Sequence, residues 1–354
     1  MENSSECTLH RLSPYIGRLK TSIARSLISY YSNENDMVVD PFAGSGTIPL
    51  EALNLRRNVF ASDISSYSKI LNKGKFEAPN DMEKAIIRLE DLLIESENLV
   101  PSIKVNIPKW VQHFFHWRTL KEILQFVQIC HKQKEYFYLA CLLGILHHQR
   151  PGFLSYPSSH LVPYLRDKKF PRNKFPDLYK YRALRPRIEA KVKRALKNPL
   201  PALKGKYTFV QESIETIQFP TAFDCLITSP PYMNALDYNR DNRLRLWFIG
   251  AEDSLIKTES TRKKEHFIEL MKVFSKKTNS GLKMGGSCIL VVGDHVRRNF
   301  NAHPAELTAS IIRDCAPSLK LVNVFMDLIP DIRRSRRECK GVKSEVLLVF
   351  AKGY

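Results

Sequence analysis

Met37-Val-Val-Asp-Pro-Phe-Ala-Gly-Ser-Gly-Thr47 is the stretch that decides the fold. Three apolar residues and an acid predict a short strand over 37–40, and a helical pattern runs from 48 to 57. Gly44 and Gly46 lack side chains, so the backbone between strand and helix can turn sharply and admit a ligand closely. Asn58-Val-Phe-Ala-Ser62 predicts a second strand, closed by Asp63. A dinucleotide site would want a third glycine where Pro49 stands. A phosphate-cradling loop would need Gly-Lys-Ser/Thr, whereas Gly46-Thr47 runs into Ile48. The turn therefore suits an adenosine ligand without a pyrophosphate, with the Asp63 carboxylate accepting hydrogen bonds from both ribose hydroxyls.

Outward from this stretch, strands are predicted over 207–211, 223–228, 287–293, 320–326 and 344–351, with helices over 262–282 and 304–314. Seven strands separated by helices predict an α/β fold with a doubly wound, mainly parallel sheet. Residues from about 80 to 205 break the alternation. They read as helices over 82–97, 120–132 and 135–147, followed by a proline-, aromatic- and basic-rich loop over 151–187. The division expected is a sheet domain of 1–79 and 206–354 with a helical, basic insertion of 80–205.

A second unusual strand end is Asp224-Cys-Leu-Ile-Thr-Ser-Pro-Pro-Tyr232. Pro230 and Pro231 rigidify the backbone and remove two N–H donors, which leaves carbonyl oxygens to accept. Ser229 adds a hydroxyl acceptor and Tyr232 a flat face. An exocyclic amine on a nucleobase needs two in-plane acceptors and an aromatic ring over its base, and this tetrapeptide supplies both.

The chain has 354 residues, 44% of them hydrophobic and 26% charged, a globular composition that excludes fibrous and disordered classes. Its longest apolar runs are strand-sized, so no membrane partner is expected. Seven cysteines without a CxxC pair, and no secretory leader at the N-terminus, suit reduced thiols in a cytoplasmic protein. The net charge of +19 is concentrated. Residues 166–206 hold 15 Lys/Arg against three acids, and 333–343 hold six against one. Two such segments point to a polyanion. In the first, Lys168, Lys169, Arg172 and Lys174 are interleaved with aromatics, which suits backbone tracking with base stacking. In the second, Arg333, Arg334, Arg336 and Arg337 could clamp phosphates. Helical periodicity over 187–196 offers the alternative of a solvated helix face.

Asp-Pro-Phe-Ala-Gly-Ser-Gly-Thr (40–47) together with Thr-Ser-Pro-Pro-Tyr (228–232) closely resembles the S-adenosylmethionine-dependent amino-methyltransferases of DNA. The resemblance implies a Rossmann-like, class I methyltransferase sheet of seven strands with an antiparallel hairpin strand. It implies that Asp40, Phe42, Ala43, Gly44, Gly46 and Thr47 bind the methionine and adenosine parts of S-adenosyl-L-methionine. Asp63 would take the ribose, with Gln211, Glu212 and Ser213 near the adenine and Tyr15 lining the methionine pocket. Ser229, Pro230, Pro231 and Tyr232 become the catalytic turn, with Asp237 and Tyr238 beside the base.

Serine before Pro-Pro usually goes with cytosine N4 in that family. The expected activity is therefore site-specific methylation of cytosine N4 in double-stranded DNA, on a base flipped from the duplex. The insertion would read the target, and a restriction endonuclease is a candidate partner; the number of subunits is left open. Adenine-N6 methylation of DNA, base-amine methylation of RNA, and a non-catalytic nucleic-acid-binding module are the alternatives. No metal is needed: the close histidine pairs 113/116 and 147/148 lack an acid or thiol cluster and read as packing or surface residues. Asp294-His295 could border the pocket or form a surface loop.

Overall fold

The computed structural model describes residues 6–15, 17–99, 107–147, 152–155, 170–198, 205–231, 238–251, 264–294, 303–328 and 344–353. The chain divides into two compact units. One comprises Tyr15–Asn72, Leu203–Asp237 and Ile256–Tyr354; the other comprises Met1–Pro14, Lys73–Ala202 and Tyr238–Leu255.

The first unit is built on β1 (Met37–Asp40), β2 (Asn58–Ser62), β3 (Tyr207–Val210), β4 (Phe223–Thr228), β5 (Leu282–Asp294), β6 (Leu319–Leu328) and β7 (Ser344–Lys352). They form one seven-stranded sheet in the order β3-β2-β1-β4-β5-β7-β6. Strands β1 to β5 pair in parallel, and β7 is antiparallel to both β5 and β6. This is the α/β, Rossmann-like, mainly parallel sheet with one antiparallel hairpin strand that the sequence led us to expect. The chain winds outward from β1 to β3, then returns to place β4 on β1's other side. Adjacent β1 and β4 thus form the switch point of the sheet, the place where open α/β sheets bind ligands beyond the carboxyl ends of their strands.

The central strands are apolar because both faces are covered. Val39, Leu226, Leu290 and Leu348 pack in one core with Phe267, Met271 and Phe274 and with Ile312. The last four come from two helices, Lys264–Gly281 and Pro304–Cys315, the tenth and eleventh among the described residues. Strand β5 starts five residues earlier than the strand expected from its apolar run, at Leu282, which pairs with Phe223 of β4 ahead of a shift in register. At Gly281, where the preceding helix stops, an added Cβ would sit 2.6 Å from the Phe223 ring. Two helices of this part of the chain escaped the sequence reading, α1 (Thr21–Tyr31) and α3 (Ser66–Phe76); α2 (Thr47–Asn54) follows the glycine turn.

The second unit is helical. Among the described residues its α-helices are α4 (Met82–Glu97), α5 (Lys109–Gln112), α6 (Trp117–Gln133), α7 (Tyr136–Ile145), α8 (Leu184–Ala195) and α9 (Tyr238–Phe248). Asp81 caps α4 by accepting from the Lys84 N–H at 3.0 Å. Helix α7 is apolar on every side and buried from Phe137 to Ile145, as an innermost helix must be. Gly144 lets it approach the Leu12 carbonyl, which an added Cβ would meet at 2.3 Å. Where the expected insertion was 80–205, this unit runs from Lys73 to Ala202 and also takes in Met1–Pro14 and Tyr238–Leu255. The loop expected over 151–187 gives way at Leu184 to α8, the helix that periodicity had offered as the alternative. Among the described residues no helix is long and apolar enough to cross a membrane.

Candidate functional site

The glycine turn is held from three sides. Gly44 and Gly46 have φ of +49° and +74°, the left-handed region that side chains disfavour. The Gly44 N–H donates to Asp63 Oδ2 at 2.8 Å, and the Ala43 N–H donates to the Ser62 carbonyl at 2.9 Å. From α3, Ser68 Oγ and Asn72 Nδ2 donate to the Gly44 carbonyl at 2.7 and 3.2 Å. A Cβ on Gly46 would fall 2.4 Å from Asn72 Oδ1, and one on Gly44 would fall 3.3 Å from the Tyr15 ring. Tyr15 stands over the turn and stacks on Tyr67, with centroids 6.0 Å apart.

Asp63, expected to face a ribose, already accepts the Gly44 and Ser65 N–H groups, one on each oxygen. Its place at the end of β2 is as expected, and its first task in the structure is to tie β2 to the glycine turn. A carboxylate oxygen has two lone pairs, so both oxygens retain capacity for further donors. Burial raises its pKa, and the hydrogen bonds from Ser65, Gly44 and Ser68 oppose that rise.

Asp40 is buried at the end of β1. Its Oδ1 accepts Thr228 Oγ1 at 2.6 Å and the Phe42 N–H at 3.3 Å. Neither bond uses Oδ2. Burial pushes its pKa up to about 7; the Thr228 and Phe42 hydrogen bonds lower it, and the nearby Asp63 charge adds to the rise. The Thr228 bond joins the two strand ends directly, since Thr228 is the last residue of β4. One residue on, Ser229 Oγ donates to the Val291 carbonyl of β5 at 3.0 Å. Its proton is spent on that carbonyl, so the oxygen is left to act as an acceptor. Pro230 is buried and Pro231 exposed.

At the end of β3, the Asp63 N–H donates to the Val210 carbonyl at 3.3 Å, and Gln211 Nε2 donates to Ser66 Oγ at 2.8 Å. Glu212 is exposed, and the Ser213 carbonyl accepts the Thr216 and Ile217 N–H groups in a turn. The structure thus brings Tyr15, Asp40, Phe42, Ala43, Gly44, Gly46, Thr47 and Asp63 together in one unit, with Ser229 and Pro230 on the neighbouring strand end. Ser68 and Asn72 were missed. Their signal was a serine and an asparagine one helical turn apart in a segment with apolar residues at 67, 70 and 71.

Tyr232 and Asp237 lie outside the described residues, as do His148, His295, Lys168, Lys169, Arg333, Arg334, Arg336 and Arg337. Arg172 and Lys174 are exposed; Arg172 lies over the Tyr179 ring at 4.8 Å. Several other cations of 166–206 are engaged inside the protein. Arg185 pairs with Glu90 and Glu97, and Lys191 Nζ donates to the Arg11 carbonyl at 2.8 Å. His116 caps α6, accepting the Arg118 N–H at 3.2 Å, and His147 packs edge-on to Phe114. Among the described residues no group of three or more His, Cys, Asp or Glu is placed to hold a metal ion.

Residues 18–73 match a family model described as DNA methylase. No curated protein matches the chain. Among solved structures, TrmN from Thermus thermophilus is 11% identical with a TM-score of 0.40, covering 99% of this chain. The chain spans about half of that protein, 53%. A SAM-dependent methyltransferase from Methanosarcina mazei is 11% identical with a TM-score of 0.39, over 92% of this chain and 97% of its own. An rRNA methylase from Streptococcus thermophilus is 8% identical with a TM-score of 0.34, over 95% and 98%. These likenesses are too distant to bear on a substrate. The segment that the family model matches is α1, β1, the glycine turn, α2, β2 and most of α3, the part of this chain that is similar to a DNA methylase.

Proposed function

We propose that this protein is an S-adenosyl-L-methionine-dependent methyltransferase that modifies the exocyclic amine of a base in DNA, cytosine N4 in the first instance. The observation that carries the reading is the 2.6 Å hydrogen bond between Thr228 and Asp40. It locks a glycine turn suited to an adenosine ligand beside a Ser-Pro-Pro turn suited to a base amine, at the switch point of the sheet.

The residues present fit the cofactor. The left-handed glycines and the Tyr15 ring shape a close-approach turn, Asp40 presents a buried carboxylate to a cation, and Asp63 and Glu212 bring acid to the ends of β2 and β3. When bound, the cofactor supplies an electrophilic methyl on a sulfonium. The chain's own part is positioning. Ser229 Oγ, its proton held by Val291, accepts from one amine N–H, and the Pro230 carbonyl accepts the other. Two acceptors favour a pyramidal nitrogen whose lone pair can be aimed at the methyl, and holding the atoms about 3–3.5 Å apart provides most of the acceleration. The amine becomes acidic as it is methylated, so its proton can leave to solvent afterwards.

The helical unit would read the target from a base flipped out of the duplex, with Lys168, Lys169, Arg172 and Lys174 on one side of the DNA path. Arg333, Arg334, Arg336 and Arg337 would hold phosphates, and a restriction endonuclease would be the natural functional partner. The test is incubation with methyl-labelled cofactor and separate DNA and RNA pools, followed by nucleoside mass spectrometry. N4-methylcytosine in DNA is the expected product. Methyladenine in DNA would move the target base, and label in RNA alone would overturn the reading.

A further inference from the structure

The start of α6 carries an arrangement that neither the sheet nor the base-amine chemistry uses. Trp117, the first residue of the helix, is 65% exposed. The His116 ring stacks on it at 5.8 Å with 29° between planes, and the Arg118 guanidinium lies 5.2 Å from its centroid. Tyr181, 44% exposed, meets His116 edge-on at 5.8 Å. These rings are fixed in place. The His116 side chain caps the helix, the Tyr181 hydroxyl donates to Glu122, and Thr119 Oγ1 exchanges hydrogen bonds with the Arg182 N–H and carbonyl, both at 3.0 Å.

Local stability does not reward this composition. A large exposed indole gains little from burial, and the first turn of α6 has no acid, with Arg118 and then Lys121 at the helix's positive end. Glu122, the nearest acid in sequence, is occupied by Tyr181 and by the Leu184 N–H at 2.7 Å. What remains is two exposed aromatic side chains flanked by cations. Such faces stack on bases, and the cations suit phosphates. A base within a duplex has both faces already covered by its neighbours, so the surface suits an unpaired strand.

We infer that Trp117 and Tyr181, with Arg118, form a stacking platform for unpaired DNA. The inference rests on the nucleic-acid reading above and names a contact outside the proposed methyl-transfer site. The experiment compares the full chain with Trp117→Ala and Trp117→Phe, titrating single-stranded dT12, a 12-base-pair duplex and single-stranded U12 by fluorescence anisotropy. Trp117→Ala should weaken dT12 binding by about tenfold, with Trp117→Phe recovering most of it and the duplex unmoved. Equal dT12 affinity in wild type and Trp117→Ala overturns the platform, as does a parallel loss on the duplex. Tighter, Trp117-dependent binding of U12 than of dT12 overturns DNA as its partner. Calorimetry with S-adenosylhomocysteine keeps the two readings apart. The platform fails alone if the homologue binds while Trp117 proves inert, and the methyltransferase reading fails alone if the homologue does not bind.

Discussion

The turns after β1 and β4 occupy equivalent places on neighbouring strands and solve opposite problems. After β1, glycines at positive φ bring the backbone close to whatever sits above it, and Asp63, Ser68 and Asn72 hold that backbone with side chains. After β4, two prolines fix φ and remove donors, leaving acceptors. The first turn is shaped by what its residues lack, the second by what they forbid. The Asp40–Thr228 bond makes them one feature, so damage to either should be distinguishable by which ligand is lost.

The sharpest break in this comparison is Gly46→Ala. A side chain there combines a left-handed backbone with a Cβ 2.4 Å from Asn72 Oδ1. S-adenosylhomocysteine affinity should fall by at least about 100-fold, equivalent to roughly 3 kcal/mol or more. Calorimetry on a variant shown folded by circular dichroism measures it. Ser229→Ala attacks the other turn alone. It should lower kcat by about 100-fold while leaving cofactor affinity within twofold, because a misplaced amine costs rate and not cofactor binding. Equal losses in both would merge the two turns into one function.

The pH dependence sharpens the link between them. Asp40 ionises near pH 7 in the folded protein and near 3.9 when unfolded, so the folded state holds the extra proton between those values. Its contribution to stability is complete below about pH 4 and is lost as pH rises through about 7. Cofactor binding should run the other way, since a cation prefers the ionised carboxylate: affinity should rise up to about tenfold between pH 6 and 8. Asp40→Asn should flatten both slopes, in thermal melts and in titrations. Thr228→Val, which removes a bond that lowers the Asp40 pKa, should move both midpoints to higher pH.

The smallest effect separates the two kinds of cation in 166–206. Reversing the exposed Arg172 and Lys174 together should weaken DNA binding several-fold and reduce its salt slope by about two. Arg185→Ala removes a cation already engaged by Glu90 and Glu97. It should cost at most about 1 kcal/mol of stability and change DNA affinity by less than twofold.

Much of the sheet was legible. The apolar runs of β1, β2, β4 and β7 coincide with their strands, because central strands covered on both faces must be apolar almost throughout. Helices α1 and α3 were harder to read: α1 buries only the short face Thr21, Ala24, Leu27 and Ile28, with Ser22, Ser26, Ser29 and Tyr30 exposed, and α3 spends Ser68 and Asn72 on a turn 24 or more residues upstream. The early start of β5 is defined by the pairing of Leu282 with Phe223 of β4, which no local pattern announces. Of the candidate site, the turn residues were visible as motifs. The roles of Thr228 as a clasp and Asp63 as a tie were not, since each is defined by a partner on another strand.

The sequence by itself determined which backbone shapes were possible at the two turns, because glycine and proline act through their own φ and donor content. It also determined that a winding α/β sheet would carry them, through the spacing of apolar runs. Only the tertiary structure decided that β4 would return beside β1, that Asp40 would be buried against Thr228, and that Ser229 would spend its proton on Val291. Those are contacts between residues 62 to 188 positions apart, and a hydrogen bond's partner is chosen by the packing that brings it within reach.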